Sequence, residues 1–215
     1  MSSRQERLSS VIFQRELGSL LDKTHRMETL AAALANATNA DPGFTARAAA
    51  LAKCDLVSEM VLEFPELQGI MGGYFSIHQG FDKDVSFAIA EQYLPVGFDS
   101  KTPKKPFSVA LSITDKIDTL VGFFGINEKP TSSKDPFALR RTAIGLLRTI
   151  IENKLSVQLK DIINYSIVIY EDQNAKFENN LVTKEVLIFL RERFKNLLKD
   201  KKIRNDIVEA VESSH

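Results

Sequence analysis

The side chains able to do chemistry are few and scattered. The histidines are His25, His78 and His215. A zinc or iron site usually needs several His, Cys or carboxylate ligands converging on one point. His25 and His78 are far apart in sequence. Cys54-Asp55 and Asp115 could add ligands, but lone residues of this kind more often serve structure. Cys54 has no neighbouring histidine to activate it, and two internal histidines do not assemble a serine triad. Gly69-Ile70-Met71-Gly72-Gly73 is no phosphate loop: it lacks a preceding strand and a Lys-Ser/Thr ending.

Two carboxylates stand out. Asp115 and Asp118 fall in Ser112-Ile113-Thr114-Asp115-Lys116-Ile117-Asp118, within an otherwise apolar helix. Burying a carboxylate costs several kcal/mol unless it is paired. Asp115 therefore calls for a partner: a helix N-terminus, an Arg or a metal, with pairing the simpler answer. Asp22, Lys23, Arg26 and Glu28 around His25 read as a solvated helix face with short-range pairs. Basic residues gather at Lys101, Lys104 and Lys105, at Lys134, Arg140 and Arg141, and at Lys195, Lys199, Lys201, Lys202 and Arg204. Each group could contact phosphate, or could be ordinary solvated surface.

The elements that must position these residues read as helices nearly throughout. Leu20, Leu21, Met27, Leu30, Ala31 and Leu34 recur at spacings of three and four, one buried stripe. Asn36 to Asn39 ends that helix, and Asp41-Pro42 restarts the chain as cap and first-turn proline. Ala48, Leu51, Leu56, Met60 and Val61 lie along the next helix, broken at Phe64-Pro65. A third helix follows Pro65, carrying Gly69, Gly72 and Gly73, which either admit close helix approach or weaken the helix. A fourth runs from Asp82 to Tyr93. A Pro- and Lys-rich loop covers Leu94 to Pro106. Phe107 to Phe124 is apolar nearly all round and belongs in the core. Asp135-Pro136 repeats the cap-plus-proline signal and opens a helix to Asn153. Leu159 to Tyr170 holds β-branched and aromatic residues suited to a short strand, yet its flanks favour a helix. Glu171 to Asn180 is a polar linker, and Thr183 to Lys199 and Arg204 to Val211 form a final helical pair. The expected architecture is all-α: a compact domain over residues 1–153 and a smaller helical extension over 154–215.

Hydrophobic residues make up 44% of the 215, enough for a substantial core. Lys+Arg and Asp+Glu are equal at 28 each, so no whole-chain field draws in nucleic acid and any RNA contact must be a local patch. A single cysteine excludes an internal disulfide framework and suits a reducing cytoplasm. No apolar run is long enough to span a bilayer, and the opening residues lead into no signal peptide.

Several strings, in order, carry a resemblance. They are Lys53-Cys54-Asp55-Leu56-Val57-Ser58-Glu59-Met60-Val61, Glu63-Phe64-Pro65-Glu66-Leu67-Gln68-Gly69-Ile70-Met71-Gly72, Asp115-Lys116-Ile117-Asp118-Thr119-Leu120-Val121-Gly122-Phe123-Phe124, and Pro130 through Arg141. The chain resembles the β subunit of bacterial heterotetrameric glycyl-tRNA synthetase over nearly its whole length, as a stretch from the middle of that longer chain. The resemblance implies that ATP-dependent glycine activation belongs to a separate α subunit. It implies as partners the tRNA for glycine, the α subunit and the remaining β domains, with no membrane. No cofactor is expected in this stretch, and the stretch alone is expected not to make glycyl-tRNA.

The same region is similar to HD-type phosphohydrolases, helical enzymes that hold a divalent metal through a His, a His-Asp pair and a later Asp. Carried onto this sequence, Asp55 matches the Asp of the pair, Cys54 stands where its His belongs, Asp115 matches the late Asp, and Arg26 falls where the first His would be. The resemblance thus implies a degenerate HD-like site with no metal and no catalytic residue, in which Arg26 pairs with Asp55 or Asp115. Lys134, Arg140 and Arg141 are the leading tRNA contacts, since a helix start also attracts anions, with Lys104 and Lys105 next. The rival readings are a residual metal-dependent phosphohydrolase, with Cys54 on a soft metal, and a purely structural spacer.

Overall fold

A computed structural model describes residues 1–97 and 99–200. The described residues are mostly helical, as expected. Ten α-helices are joined by short 3-10 turns and one two-stranded hairpin. Among them no helix is long and apolar enough to cross a membrane. The helix expected over Arg204 to Val211 lies outside the described residues.

The chain opens with α1 (Ser2–Arg7), then the hairpin of β1 (Ile12–Gln14) and β2 (Gly18–Ser19). It is antiparallel, with Ile12 opposite Ser19 and Gln14 opposite Gly18. Gly18 takes φ +86°, which favours glycine. Ser19 then caps α2 (Leu20–Leu34) in a reciprocal capping box with Asp22. The apolar stripe read from the sequence is the buried face of this helix. Asp41 caps α3 (Pro42–Leu51) by accepting the Phe44 N–H at 2.9 Å.

The long helix expected from Pro42 to Val61 is corrected: it breaks at Ala52. A 3-10 turn covers Cys54–Val57, and α4 (Glu59–Glu63) is a separate short helix. Local side-chain bonds explain the break. The Ser58 hydroxyl donates to the Asp55 carbonyl at 2.6 Å and accepts the Val61 N–H, offering the backbone an alternative to helix continuation. A further 3-10 turn, Pro65–Leu67, delays the next helix, α5 (Ile70–His78), which starts after Gly69 at φ +80°. The small residues of α5 allow close approach. A Cβ at Gly73 would lie 2.8 Å from the Ala90 Cβ and 3.0 Å from the Ser86 carbonyl of α6 (Lys83–Glu91).

The expected core helix is α7 (Pro106–Gly125), buried around almost its whole circumference. It packs against α2, α3, α6, α8 (Leu139–Glu152), α9 (Leu159–Asp172) and α10 (Asn179–Asp200). One apolar cluster joins Leu30, Ile113, Ile117, Leu120, Leu146, Ile167 and Leu190, so α9 and α10 share their core with α7 and α8. A second joins Met27, Leu51, Cys54, Ile89 and Leu111 on the other side of α2. The region that could have been a strand is the helix α9.

The start of α8 also differs from the reading of Asp135-Pro136 as cap and first turn. The helix begins three residues later, at Leu139. Asp135 still caps it, accepting the Leu139 and Arg140 N–H groups at 2.8 and 3.0 Å from beyond a short turn.

Gly122 marks the tightest packing on α7. A Cβ there would sit 2.8 Å from Tyr170 Cζ and 2.9 Å from Leu17 Cδ1. In an open helix, Gly→Ala stabilises by about 0.5–1 kcal/mol. Here the sign should reverse: Gly122→Ala should destabilise by about 1–3 kcal/mol through overpacking, read as a lower urea midpoint. A raised midpoint would show that this contact yields easily.

Candidate functional site

Two pairs of side chains meet at the middle of the molecule. Asp115 and Asp118 are three apart on α7, hence on one helix face. Lys23 and Arg26 are three apart on α2, and their face packs against it. Arg26 is 1% exposed. Its Nε donates to Asp118 Oδ1 at 2.7 Å, and one terminal nitrogen donates to the Leu17 carbonyl (3.1 Å) and Gln173 Oε1 (2.7 Å). Its guanidinium stacks over Tyr170 with 4.1 Å to the ring centre, and the Tyr170 hydroxyl donates to the Asp118 carbonyl at 2.9 Å. Lys23 reaches both carboxylates: Asp118 Oδ2 at 2.8 Å and Asp115 Oδ1 at 3.3 Å. Lys53 completes the set, 2.9 Å from Asp115 Oδ1 and over the ring of Tyr93.

Two expectations are therefore corrected. Lys23 and Arg26 are not a solvated face: both are buried, while His25 beside them is exposed. The pairing of Asp115 is present, but Arg26 engages Asp118, not Asp55 or Asp115. Asp115 takes two lysines instead. Lys53 was not singled out in the sequence, and its setting among Ala48 to Leu56 was the available signal.

Electrostatics follow from these contacts. Burial pushes the Asp115 carboxyl up, but Lys53 and then Lys23 outweigh it and hold the group well below the usual carboxylate range. Asp118 is likewise lowered, with burial opposed by Lys23 and Arg26. Asp55 goes the other way. Burial raises it against two backbone donors, the Gly69 and Gly72 N–H groups at 2.6 and 3.0 Å. Cys54 packs in the second apolar cluster, and burial pushes its thiol up to about 12. A thiolate ligand or nucleophile needs the opposite environment.

Asp115 and Lys116 also line a cavity of about 250 Å³ with Gln68, Tyr93, Thr119 and Arg141. Lys116 donates to the Leu94 carbonyl and to Ser112 Oγ, both at 2.8 Å. Burial lowers its pKa to about 8; Asp115 opposes the shift and Lys53 and Lys23 add to it.

The basic clusters differ in how far they are committed. Lys134 and Arg141 are exposed and form no ion pair among the described residues. Arg140 is tied to its own loop: it donates to the Thr131 carbonyl and lies 3.8 Å from Asp135. Asp135 already occupies the first amides of α8, so the anion attraction expected of that helix start is met internally. Lys104 donates to the Glu152 carbonyl, and Lys105 lies over Phe87 and 3.7 Å from Asp84. Lys201, Lys202, Arg204 and His215 lie outside the described residues.

Removing one partner of a buried ion cluster leaves the others uncompensated, at about 3–5 kcal/mol. Asp118→Asn should therefore destabilise by about that much at neutral pH. Because the folded value of Asp118 is depressed, its contribution is full above the unfolded carboxyl value and lost as pH falls through the folded one. Urea unfolding of wild type and variant should show a gap that closes in acid. A gap constant from neutral pH into acid would assign the effect to shape rather than charge.

Comparison with known proteins agrees with the resemblance read from the sequence. The family model described as glycyl-tRNA synthetase beta subunit matches residues 1–213. The chain is 43% identical over 213 residues to the glycine–tRNA ligase beta subunit of Acinetobacter baumannii strain AYE and 44% identical to that of Acinetobacter baylyi, covering 99% of this chain in each case. It is 42% identical over 208 residues, 97% of its length, to that of Haemophilus influenzae strain Rd. The chain spans about 31% of the length of the first two and 30% of the third. With its sequence matched almost from end to end, this chain belongs to the glycyl-tRNA synthetase beta subunit family.

Proposed function

We propose that this chain serves a glycine–tRNA ligase as the part of the β subunit that engages the tRNA for glycine and supports assembly. ATP-dependent activation of glycine is left to the separate α subunit. The family match across residues 1–213 carries this reading. On this reading the buried carboxylates are structural and supply no catalytic site. Lys23, Arg26 and Lys53 neutralise Asp115 and Asp118, while Cys54 is held as a thiol. Among the described residues, no group of three or more His, Cys, Asp or Glu is placed to hold a metal. The description as a degenerate HD-like domain over 1–153 with an extension over 154–215 belongs to the same reading. Arg26, Cys54, Asp55 and Asp115 are its vestigial positions.

Phosphate contact is assigned first to Lys134 and Arg141, which are exposed and form no ion pair among the described residues, and second to Lys104 and Lys105. Arg140 acts mainly by holding the loop that presents Lys134. Structural scaffolding is a second reading, favoured by an apolar groove of about 440 Å³ lined by Leu147, Ile150, Ile151, Leu187, Leu190 and Phe194.

The test is binding of the purified chain to the cognate tRNA across a salt series. Saturable binding should weaken steeply with salt as counterions are released. Charge removal at Lys134 and Arg141 together should lower affinity about tenfold and flatten the salt slope by about two. Absence of binding at low salt would leave the scaffold reading. Binding unchanged in the double variant would move the contact elsewhere on the chain.

A further inference from the structure

The cavity beside Asp115 is lined by two cations, Lys116 and Arg141, and by one carboxylate, which is already paired. Lys23 and Arg26 are spent on Asp118, and Lys53 covers Asp115. Two cations are left over. Lys116 is buried and its nitrogen meets only neutral acceptors, the Leu94 carbonyl and Ser112. Arg141, from the first turn of α8, lines the same cavity without an ion pair among the described residues. A buried ammonium whose hydrogen bonds all go to neutral acceptors is costly, and the charge of Asp115 only partly offsets that cost. An anion with several oxygens would relieve it, and a guanidinium suits such an anion bidentately.

We propose that this cavity binds one phosphate group, held between Lys116 and Arg141 with Gln68 as a neutral donor. Asp115, the carboxylate that lines it, is already countered by Lys53 and Lys23 at 2.9 and 3.3 Å. The phosphate is either a free ion or the terminal phosphate of an RNA. The proposal shares Arg141 with the tRNA reading but does not rest on it: Lys116 belongs to the cavity alone and Lys134 to the tRNA contact alone, so phosphate-ion binding and tRNA binding fail separately.

The charged groups acting on Lys116 are Asp115 on its own helix, Lys23 on α2 and Lys53; Tyr93 and Arg141 line the same cavity. Among these, Lys116 is the one placed near pH 8, so it should lose its proton between pH 7 and 9 unless an anion retains it. Anion affinity should fall over that interval.

Titration calorimetry of the full 215-residue chain tests this, with inorganic phosphate as probe and acetate as control. The expected result is one saturable site, at least about tenfold weaker for acetate. Arg141→Gln should weaken phosphate binding about tenfold, as for loss of a charge-assisted contact. Lys116→Met should weaken it at least as much with helical content unchanged. Sulfate, whose charge is fixed, should bind more weakly at pH 9 than at pH 7. If Lys116→Met does not fold, Arg141→Gln and the wild-type sulfate series decide. No saturable phosphate binding, affinity unchanged in Arg141→Gln, equal acetate binding or a flat sulfate series would each overturn the proposal. A short RNA with and without a 5′ phosphate separates the sources. Tighter binding of the phosphorylated form, competed by phosphate, assigns the cavity to an RNA end. Equal binding of the two forms, with phosphate still bound, assigns it to the free ion.

Discussion

The contact between Arg26 and Asp118 is the constraint on which the rest of the structure depends. One guanidinium joins four parts of the chain: α2 by its own backbone, α7 through Asp118, the hairpin through the Leu17 carbonyl, and the end of α9 through Gln173. Gln173 in turn donates to the Asp22 carbonyl, and Tyr170 to the Asp118 carbonyl, so the ring of contacts closes. Such a cluster is a poor source of net stability, because removing charges from water costs about as much as their attraction returns. Its value lies in exclusivity. An apolar interior would accept several registers of α2 against α7, whereas a buried guanidinium tolerates only the one that satisfies its donors.

The same charges decide what else this interior can hold. In the HD resemblance the position of Arg26 belongs to a neutral metal ligand. Here it carries a full positive charge, with Lys23 and Lys53 nearby. A divalent cation at Asp115 would face two ammonium groups within 3.3 Å of the same oxygen. Coulomb repulsion at that distance is large in a site with little water. Cys54 contributes nothing to offset it, since its thiol is held far from ionisation by the apolar cluster around it. The electrostatics favour an anion at this cavity over a cation.

Much of this fold was readable from period and punctuation. The all-round apolar run gave α7, the stripe from Leu20 to Leu34 gave α2, and the requirement for a partner at Asp115 followed from desolvation alone. What was missed has specific causes. Lys23 falls three after Leu20 and four before Met27, so the period of the stripe itself placed it inside. Reading it by residue type rather than by position sent it to the surface. The split between α3 and α4 escapes a reading of period because Leu56, Met60 and Val61 keep a helical spacing across a break held by the Ser58 side chain on the Asp55 carbonyl and the Val61 N–H. The hairpin of Ile12–Gln14 and Gly18–Ser19 is too short for any alternation to show. Asp135 was read correctly as a cap but placed too close, since its carboxylate reaches over a turn that proline pre-shapes. The partner of Arg26 could not be read at all: Asp115 and Asp118 differ by less than one helical turn, and only the depth at which α2 crosses α7 selects between them.

Helix α8 shows how the surface can divide its work on the proposed reading. Its first turn bears Arg140 and Arg141, and the loop before it bears Lys134. Its last turn bears Ile150 and Ile151, which line the apolar groove shared with α9 and α10. Ten residues of helix separate the two ends by about 15 Å, beyond the range at which surface charges are felt strongly in physiological salt. A phosphate contact at one end and an apolar docking face at the other would then vary independently: a change at Ile151 need not alter the salt dependence set by Arg141. The chain has zero formal net charge. Recognition of a polyanion by such a chain depends on this local segregation of charge, because no overall field supplies it.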